Sequence, residues 1–362
     1  MRKPVRVLVV DDSALMRKLI PQMIERDGSI QVVGTAMDGE FALEKIPDLK
    51  PDVITLDLDM PRMDGMETLR KIMRKHPLPT IVVSAHSTEG ASATFKALSL
   101  GALDFVTKPK DPTTHMDEIA GELVSKIKAA AKSQLVQLPE PQAKKKPKPT
   151  VKHGVPPTKV VAIGVSTGGP QALQYVLSQL PPDFPGTILV VQHMPEGFTA
   201  MFAKRLDETC AIEVKEAKSG DLLAPGRVLI CPGNKHMKVK HMPLSDVVVL
   251  TEGEKINGHR PSADVLMSSV GQEFRERAIG VLMTGMGEDG AEGLGAIKGY
   301  GGLTIAQAEE SCVVYGMPRA AIERGHATRV VTLEALANTL QAQCANSRAS
   351  RAVMAEATAS GD

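Results

Sequence analysis

The chain has 362 residues, 43% hydrophobic and 23% charged, which is enough for two ordinary domains that each bury a core and excludes a small scaffold dependent on staples. Lys and Arg total 43 against 42 Asp and Glu, so a formal charge of +1 supplies no net field to hold a polyanion. With aromatics at 3% and no Trp, few side chains can stack on bases; a general nucleic-acid coat protein is excluded, and the cores fall to Val, Leu, Ile, Ala and Met.

From the N-terminus, short apolar runs alternate with helical patterns. RVLVV precedes a helix over Ser13 to Asp27, QVVGTA one over Gly39 to Ile46, and DVITLD one over Met66 to His76. TIVVSA and a helix from Gly90 follow, then DFVTK and a last helix over Met116 to Ala131. Parallel neighbours need a crossover, so five strands each followed by a helix predict a doubly wound α/β domain of flavodoxin type over 1–133.

In such a sheet the functional crevice lies beyond the carboxyl ends of the strands. Those ends carry Asp11 and Asp12, Asp57, Ser84, and Lys108 with Pro109. Converging carboxylates repel one another unless a hard divalent cation joins them, which makes Asp11, Asp12 and Asp57 candidate ligands for Mg²⁺. Asp57 is then a nucleophile toward phosphorus, with Ser84 and Lys108 on the phosphoryl oxygens. The plainer alternative is that aspartates stop strands and cap helices, as Asp12 or Ser13 would before ALMRKLI. VVDDSALMR, TLDLDMPRMDG and DFVTKP, in that order, resemble the receiver domain of two-component response regulators over residues 4 to 130. The resemblance implies that Asp57 accepts phosphate from a histidine kinase, that Asp11 and Asp12 hold Mg²⁺, and that Ser84 and Lys108 report phosphorylation.

PEPQAKKKPKPTVKHGVPP then replaces every apolar run with proline and lysine and reads as an extended linker, within a boundary segment of 134–158. Salt-sensitive binding of its lysines to an acidic surface is the minor reading.

After the linker, over 159–344, alternation resumes with KVVAIGV, a helix from Pro170, TILVVQH, a helix near Phe198 to Cys210, and later AIGVLMTG and GLTIAQ. This predicts a second doubly wound, Rossmann-like parallel domain. IEVKEA, RVLICP, HMKVK and DVVVL are separated only by turns and predict a small antiparallel β annex or hairpins. ANSRASRAVMAEATASGD, 345–362, offers little to bury and reads as a disordered tail.

GVSTGGP places a G-x-S-x-G between strand and helix, lifting Ser166 to the sheet edge beside the free N–H groups of a helix that starts near Pro170. A dinucleotide site would want a middle glycine and an acid ending the second strand, but Ser166 and Gln192-His193 stand there. His193 is the candidate base, with His236 and His259 as rivals near glycine-containing loops. Gly285-Met286-Gly287-Glu288-Asp289-Gly290 supplies a carboxylate to orient the imidazole, Asp289 being preferred over Glu288; alone, such a turn would merely cap the next helix.

GVSTGGP, VVQHMP, GHRPSADVLMSSV, LMTGMGEDG and AQAEESCVVYGMPRAA together resemble the catalytic domain of the protein-glutamate methylesterases of bacterial chemotaxis. The resemblance implies a triad of Ser166, His193 and Asp289, oxyanion-stabilising backbone near Thr167 and Met286, and no cofactor for hydrolysis. It also implies hydrolysis of γ-glutamyl methyl esters on chemoreceptor cytoplasmic helices, deamidation of certain receptor glutamines, and a receiver that blocks the crevice until phosphorylated. Two other classes compete: a regulator whose second domain binds nucleotide or nucleic acid, and an ester hydrolase for small molecules. Cys210, Cys231, Cys312 and Cys344 show no metal or redox spacing, with Cys312 read as buried packing. Neither a signal-peptide core nor an apolar run of ~18 to 20 residues appears, so a cytoplasmic protein is expected.

Overall fold

The computed structural model describes residues 3–84, 88–108, 116–133, 155–242 and 245–345. The predicted linker up to residue 154 and the predicted tail beyond 345 lie outside them. The chain divides into two compact units, Met1–Gln137 and Leu138–Asp362.

In the first unit the elements run β1 (Val5–Val10), α1 (Ala14–Ile24), β2 (Ile30–Ala36), α2 (Gly39–Leu49), β3 (Val53–Asp57) and α3 (Gly65–Lys75), then β4 (Thr80–Ser84), α4 (Thr88–Ser99), β5 (Asp104–Thr107) and α5 (Met116–Ala130). The strands form one parallel sheet in the order β2-β1-β3-β4-β5, with β1 at the point where the winding reverses. Helices cover both faces of β3 and β4, which is why their side chains are buried without alternation. Ser13, Asp38 and Asp64 accept hydrogen bonds from the N–H groups of Met16, Phe41 and Glu67, starting α1, α2 and α3. The first helix stops at Ile24 rather than Asp27, because a 3-10 turn over Glu25–Asp27 leads into Gly28 at φ 72°.

The second unit contains β6 (Val160–Val165), α6 (Gly169–Ser178), β7 (Thr187–Gln192), α7 (Phe198–Thr209), β8 (Glu213–Glu216), β9 (Arg227–Ile230), β10 (His236–Met242) and β11 (Ser245–Thr251). It continues with α8 (Ala263–Phe274), β12 (Ala278–Leu282), α9 (Ala291–Gly299), β13 (Leu303–Gln307), α10 (Met317–Glu323), β14 (Arg329–Val331) and a helix over 333–345, α11. Seven strands make a parallel sheet in the order β14-β13-β12-β6-β7-β9-β8.

The antiparallel annex is smaller than the four runs that suggested it. Of those four runs, β10 and β11 pair antiparallel with each other, while β8 and β9 belong to the parallel sheet. The connection from β8 to β9 has no helix. It crosses over instead along β11: Gly220 N–H donates to Val248 O, Val248 N–H to Asp221 O and Leu223 N–H to Asp246 O. The hairpin thus does what a crossover helix does elsewhere, so helix-length spacing failed as a signal.

Helix α8 buries Leu266, Met267, Val270 and Phe274, and α11 buries Leu333, Leu336, Ala337, Leu340 and Cys344, both at the spacing of a helix with one apolar face. Leu282, fully buried at the end of β12, packs beneath both the Gly164 end of β6 and the Gly290 turn. Leu282→Ala is therefore expected to cost about 2–5 kcal/mol, read by urea denaturation of the full chain, and to loosen the strand ends that carry the site described next.

Candidate functional site

Two crevices at strand ends collect the polar residues. In the first unit, Asp11 follows β1, Asp57 ends β3 and Lys108 follows β5. Lys108 Nζ donates to Asp57 Oδ2 at 2.6 Å and lies 3.0 Å from Asp11 Oδ2. Backbone N–H groups hold the other carboxylate oxygens, Ser13 on Asp11 Oδ1 at 2.9 Å and Asp59 on Asp57 Oδ1 at 3.2 Å. Burial pushes the Asp57 carboxyl above its ordinary value, against the pull of Lys108. The same burial works to lower the Lys108 ammonium, but Asp57 and Asp11 outweigh it and hold it above its ordinary value.

One oxygen each of Asp11, Asp12 and Asp57 lies within 4.8 Å of the others, with Asp11 and Asp57 buried and Asp12 exposed. Asp11 Oδ2 is buried, with the Lys108 ammonium 3.0 Å away as its counter-charge. Three carboxylates against one lysine leave a local excess of negative charge, and an all-oxygen set of this kind fits a hard divalent cation. Ser84 ends β4 beside β3, and its hydroxyl donates to Gly90 O at 3.1 Å, inside α4.

In the second unit, β6 is the central strand at which the winding reverses, flanked by β7 and β12. Ser166 follows β6, His193 follows β7 and Asp289 lies in the loop after β12, so all three stand at the crevice that this topology creates. Backbone bonds place the ends side by side: His193 N–H donates to Val165 O at 3.1 Å and Ser166 N–H to Thr284 O at 3.0 Å. His193 Nε2 and Asp289 Oδ2 are 2.8 Å apart. Ser166 Oγ makes no hydrogen bond among the described residues, and His193 Nδ1 is buried without a partner.

The Asp289 carboxylate is 1% exposed, and its surroundings explain how it bears the loss of water. Its Oδ1 accepts from Ser262 Oγ at 2.6 Å and, at 3.4 Å, from Asp264 N–H and Asn257 Nδ2. Its Oδ2 accepts from Ala263 N–H at 2.6 Å. Two of these donors are first-turn N–H groups of α8, where the helix dipole favours an anion. Burial alone would raise this carboxyl, but His193, Ser262 and Ala263 bring it down to about 2. An ionised carboxylate only accepts, so Nε2 of His193 is the donor in this bond and Nδ1 is the nitrogen turned away from it.

The rival candidates separate cleanly. His236 accepts from Ser262 N–H at Nδ1, 3.3 Å, and donates from Nε2 to Glu254 O, 2.8 Å; both nitrogens are used to hold a loop. Glu288 is exposed and paired with Arg324. His259 lies in the site, its ring stacked on His193 with centroids 3.8 Å apart and planes 5° from parallel. Cys312 is 3% exposed, and burial, then Glu309 and Glu310, push its thiol up to about 12, an inert packing residue.

Thr167 and Met286 flank the serine, and their N–H groups donate no hydrogen bond among the described residues. The turn itself is clamped. Gln192 Nε2 donates to Ser166 O and His193 O at 3.0 and 3.2 Å, and Thr284 Oγ1 donates to Thr167 O at 3.0 Å. Gly168 takes φ 76°, and a Cβ there would stand 2.6 Å from Val313 Cβ; one on Gly285 would stand 2.8 Å from Ser166 Cβ. Gln192, Asn257, Ser262, Asp264 and Thr284 were not singled out from sequence. The Ser-Ala-Asp after Pro261, a helix-start signal before an apolar run, was the available clue to α8 and its carboxylate.

A receiver-type domain joined to an α/β domain with serine, imidazole and carboxylate at its switch point defines a response regulator with a hydrolase as its output. Residues 161–340 match the family model of the CheB methylesterase, and residues 7–120 that of the response regulator receiver domain. A protein-glutamate methylesterase/protein-glutamine glutaminase of Koribacter versatilis is 58% identical over 359 residues, covering 96% of this chain and 98% of its own. One from Pyrococcus horikoshii is 46% identical over 348 residues, covering 94% of each. The crystal structure of the Thermotoga maritima CheB methylesterase catalytic domain superposes with a TM-score of 0.50 at 42% identity, over 51% of this chain and 98% of that one. The chain belongs to the CheB methylesterase family. No helix among the described residues is long and apolar enough to cross a membrane.

Asp289 has an ordinary value of 3.8 and about 2 when folded, so the stability it contributes is complete above pH 3.8 and is lost as pH falls through 2. Thermal melts between these limits are expected to show a shallower decline for Asp289→Asn than for the parent.

Proposed function

We propose that the chain is a phosphorylation-activated protein-glutamate methylesterase that hydrolyses γ-glutamyl methyl esters on chemoreceptor cytoplasmic helices and deamidates certain receptor glutamines. One observation carries this reading: His193 gives Nε2 to a buried, ionised Asp289 and keeps Nδ1 buried and unpartnered next to the serine turn. Ser166 Oγ attacks the ester carbonyl while His193 Nδ1 takes its proton. The N–H groups of Thr167 and Met286 hold the oxyanion. Collapse breaks the bond to the methoxy oxygen, which leaves as methanol with the proton from His193. Water then attacks the acyl-serine by the same proton route and releases a glutamate side chain. A glutamine amide follows the same path with ammonia as the leaving group.

Residues 1–133 serve as the receiver, 134–158 as the linker, 159–344 as the catalytic domain and 345–362 as a tail. Asp57 accepts a phosphoryl group from a histidine kinase, with Lys108 on its oxygens and Ser84 reporting the change after its hydroxyl leaves Gly90. Asp11, Asp12 and Asp57 would hold Mg²⁺, which when bound neutralises charge between the carboxylates and the incoming phosphoryl group. Hydrolysis needs no cofactor, and the enzyme works in the cytoplasm on helices of membrane-anchored receptors without inserting into the bilayer itself. The near-zero net charge and poor aromatic content weigh against a nucleic-acid partner.

Methanol release from methylated receptor membranes is expected to fall roughly 10³- to 10⁶-fold in Ser166→Ala. Undiminished release would end the assignment. A small phosphodonor is expected to raise the rate of the full chain and to leave Asp57→Asn unchanged; equal rates for the parent with and without donor would refute the regulation. Mg²⁺ is expected to raise the thermal midpoint of the full chain, and Asp12→Asn to abolish that rise.

A further inference from the structure

We infer that His259 is a positioning residue for the esterase reaction, its flat ring fixing the plane of the His193 imidazole; this rests on the triad reading above. The stack is close and parallel, with centroids 3.8 Å apart and planes 5° from parallel. It is also built rather than incidental. Ile256 and His259 exchange both backbone hydrogen bonds, Ile256 N–H to His259 O at 3.0 Å and His259 N–H to Ile256 O at 2.9 Å. The two residues between them, Asn257 and Gly258, take φ 53° and 80°, the signature of a tight two-residue hairpin turn.

Both flanks of that turn are pinned. Asn257 Nδ2 donates to Asp264 Oδ2 at 2.7 Å and to Asp289 Oδ1 at 3.4 Å, tying the turn to the carboxylate that orients His193. Gly293 N–H donates to Asp264 Oδ1 at 2.6 Å, so Asp264 is itself fixed. On the other side, the Arg260 guanidinium donates to Asn234 Oδ1 at 2.6 and 3.0 Å and to Gly253 O at 2.8 Å. His259 therefore sits between two anchored neighbours, half-buried, with its face set against His193.

His193 needs such a support. Its side chain is tied by one hydrogen bond, at Nε2, and Nδ1 has no hydrogen-bond partner to resist rotation about that tie. A parallel ring at van der Waals distance blocks that rotation on one side. The stack also gains strength when it matters, because the imidazolium formed during proton transfer lies over the π face of His259. An interaction that strengthens on the way to the transition state appears in kcat and leaves KM nearly untouched.

The test is steady-state methanol release by the full chain, with His259→Leu, His259→Phe and Ser166→Ala assayed together. His259→Leu, which keeps bulk but has no flat face, is expected to lower kcat roughly 3- to 30-fold with KM within about twofold, whereas His259→Phe stays within about threefold of the parent kcat. Parental kcat in the leucine variant, a loss carried by KM instead, or a phenylalanine variant as slow as the leucine one would each overturn the inference. If leucine disturbs the turn, the phenylalanine variant decides alone: near-parental kcat supports the flat-face role and a fall beyond about tenfold overturns it. Full activity of His259→Leu beside a dead Ser166→Ala removes only this inference; methanol release that persists in Ser166→Ala removes the triad reading beneath it.

Discussion

The second unit is organised around one carboxylate that has left water. A buried anion costs several kcal/mol unless donors replace its hydration, and Asp289 is given donors from three places at once: the first turn of α8 with its cap Ser262, the Asn257 turn, and the imidazole after β7. Satisfying that one group dictates the path of the chain between the β10–β11 hairpin and α8. It also fixes which ring nitrogen of His193 faces the carboxylate, Nε2. Nδ1 is thereby the ring nitrogen left without a partner.

The first unit treats its carboxylates the opposite way. Asp11 and Asp57 are buried beside exposed Asp12 and face a single ammonium, so their mutual repulsion is only partly offset. Burial dominates at Asp57 and raises its carboxyl, while the same burial at Asp289 is overridden by its donors. One crevice is locked by hydrogen bonds and the other is left sensitive to added charge. That difference suits a fixed proton relay in one domain and a reversible covalent change in the other.

Much of both sites was legible because parallel strands are short, apolar and end abruptly, and this architecture sends chemistry to those ends. Asp57, Lys108, Ser166, His193 and Asp289 all announced themselves in this way. The annex was only half legible, since β8 and β9 join the parallel sheet through a connection that borrows β11 in place of a helix. Ser84 was expected at the phosphoryl oxygens from its strand-end position, and in this structure its hydroxyl donates to the Gly90 carbonyl. Asn257 and Ser262 stayed silent because the carboxylate they share lies 32 and 27 residues away along the chain, beyond any local pattern, and His259 was weighed only as a rival base because the ring it stacks on, His193, is likewise distant in sequence.

What the amino-acid order determined by itself was local: alternating runs and helical periods, the glycine turns that only certain backbone conformations allow, and the kind of side chain at each strand end. These follow from sterics and burial over a few residues. Which nitrogen of His193 is free, which of two neighbouring acids is buried, and which ring lies against the imidazole were decided only when β6, β7, β12 and α8 packed together. Those outcomes depend on desolvation and on donors contributed from distant segments, and such donors share no neighbourhood until the tertiary fold creates one.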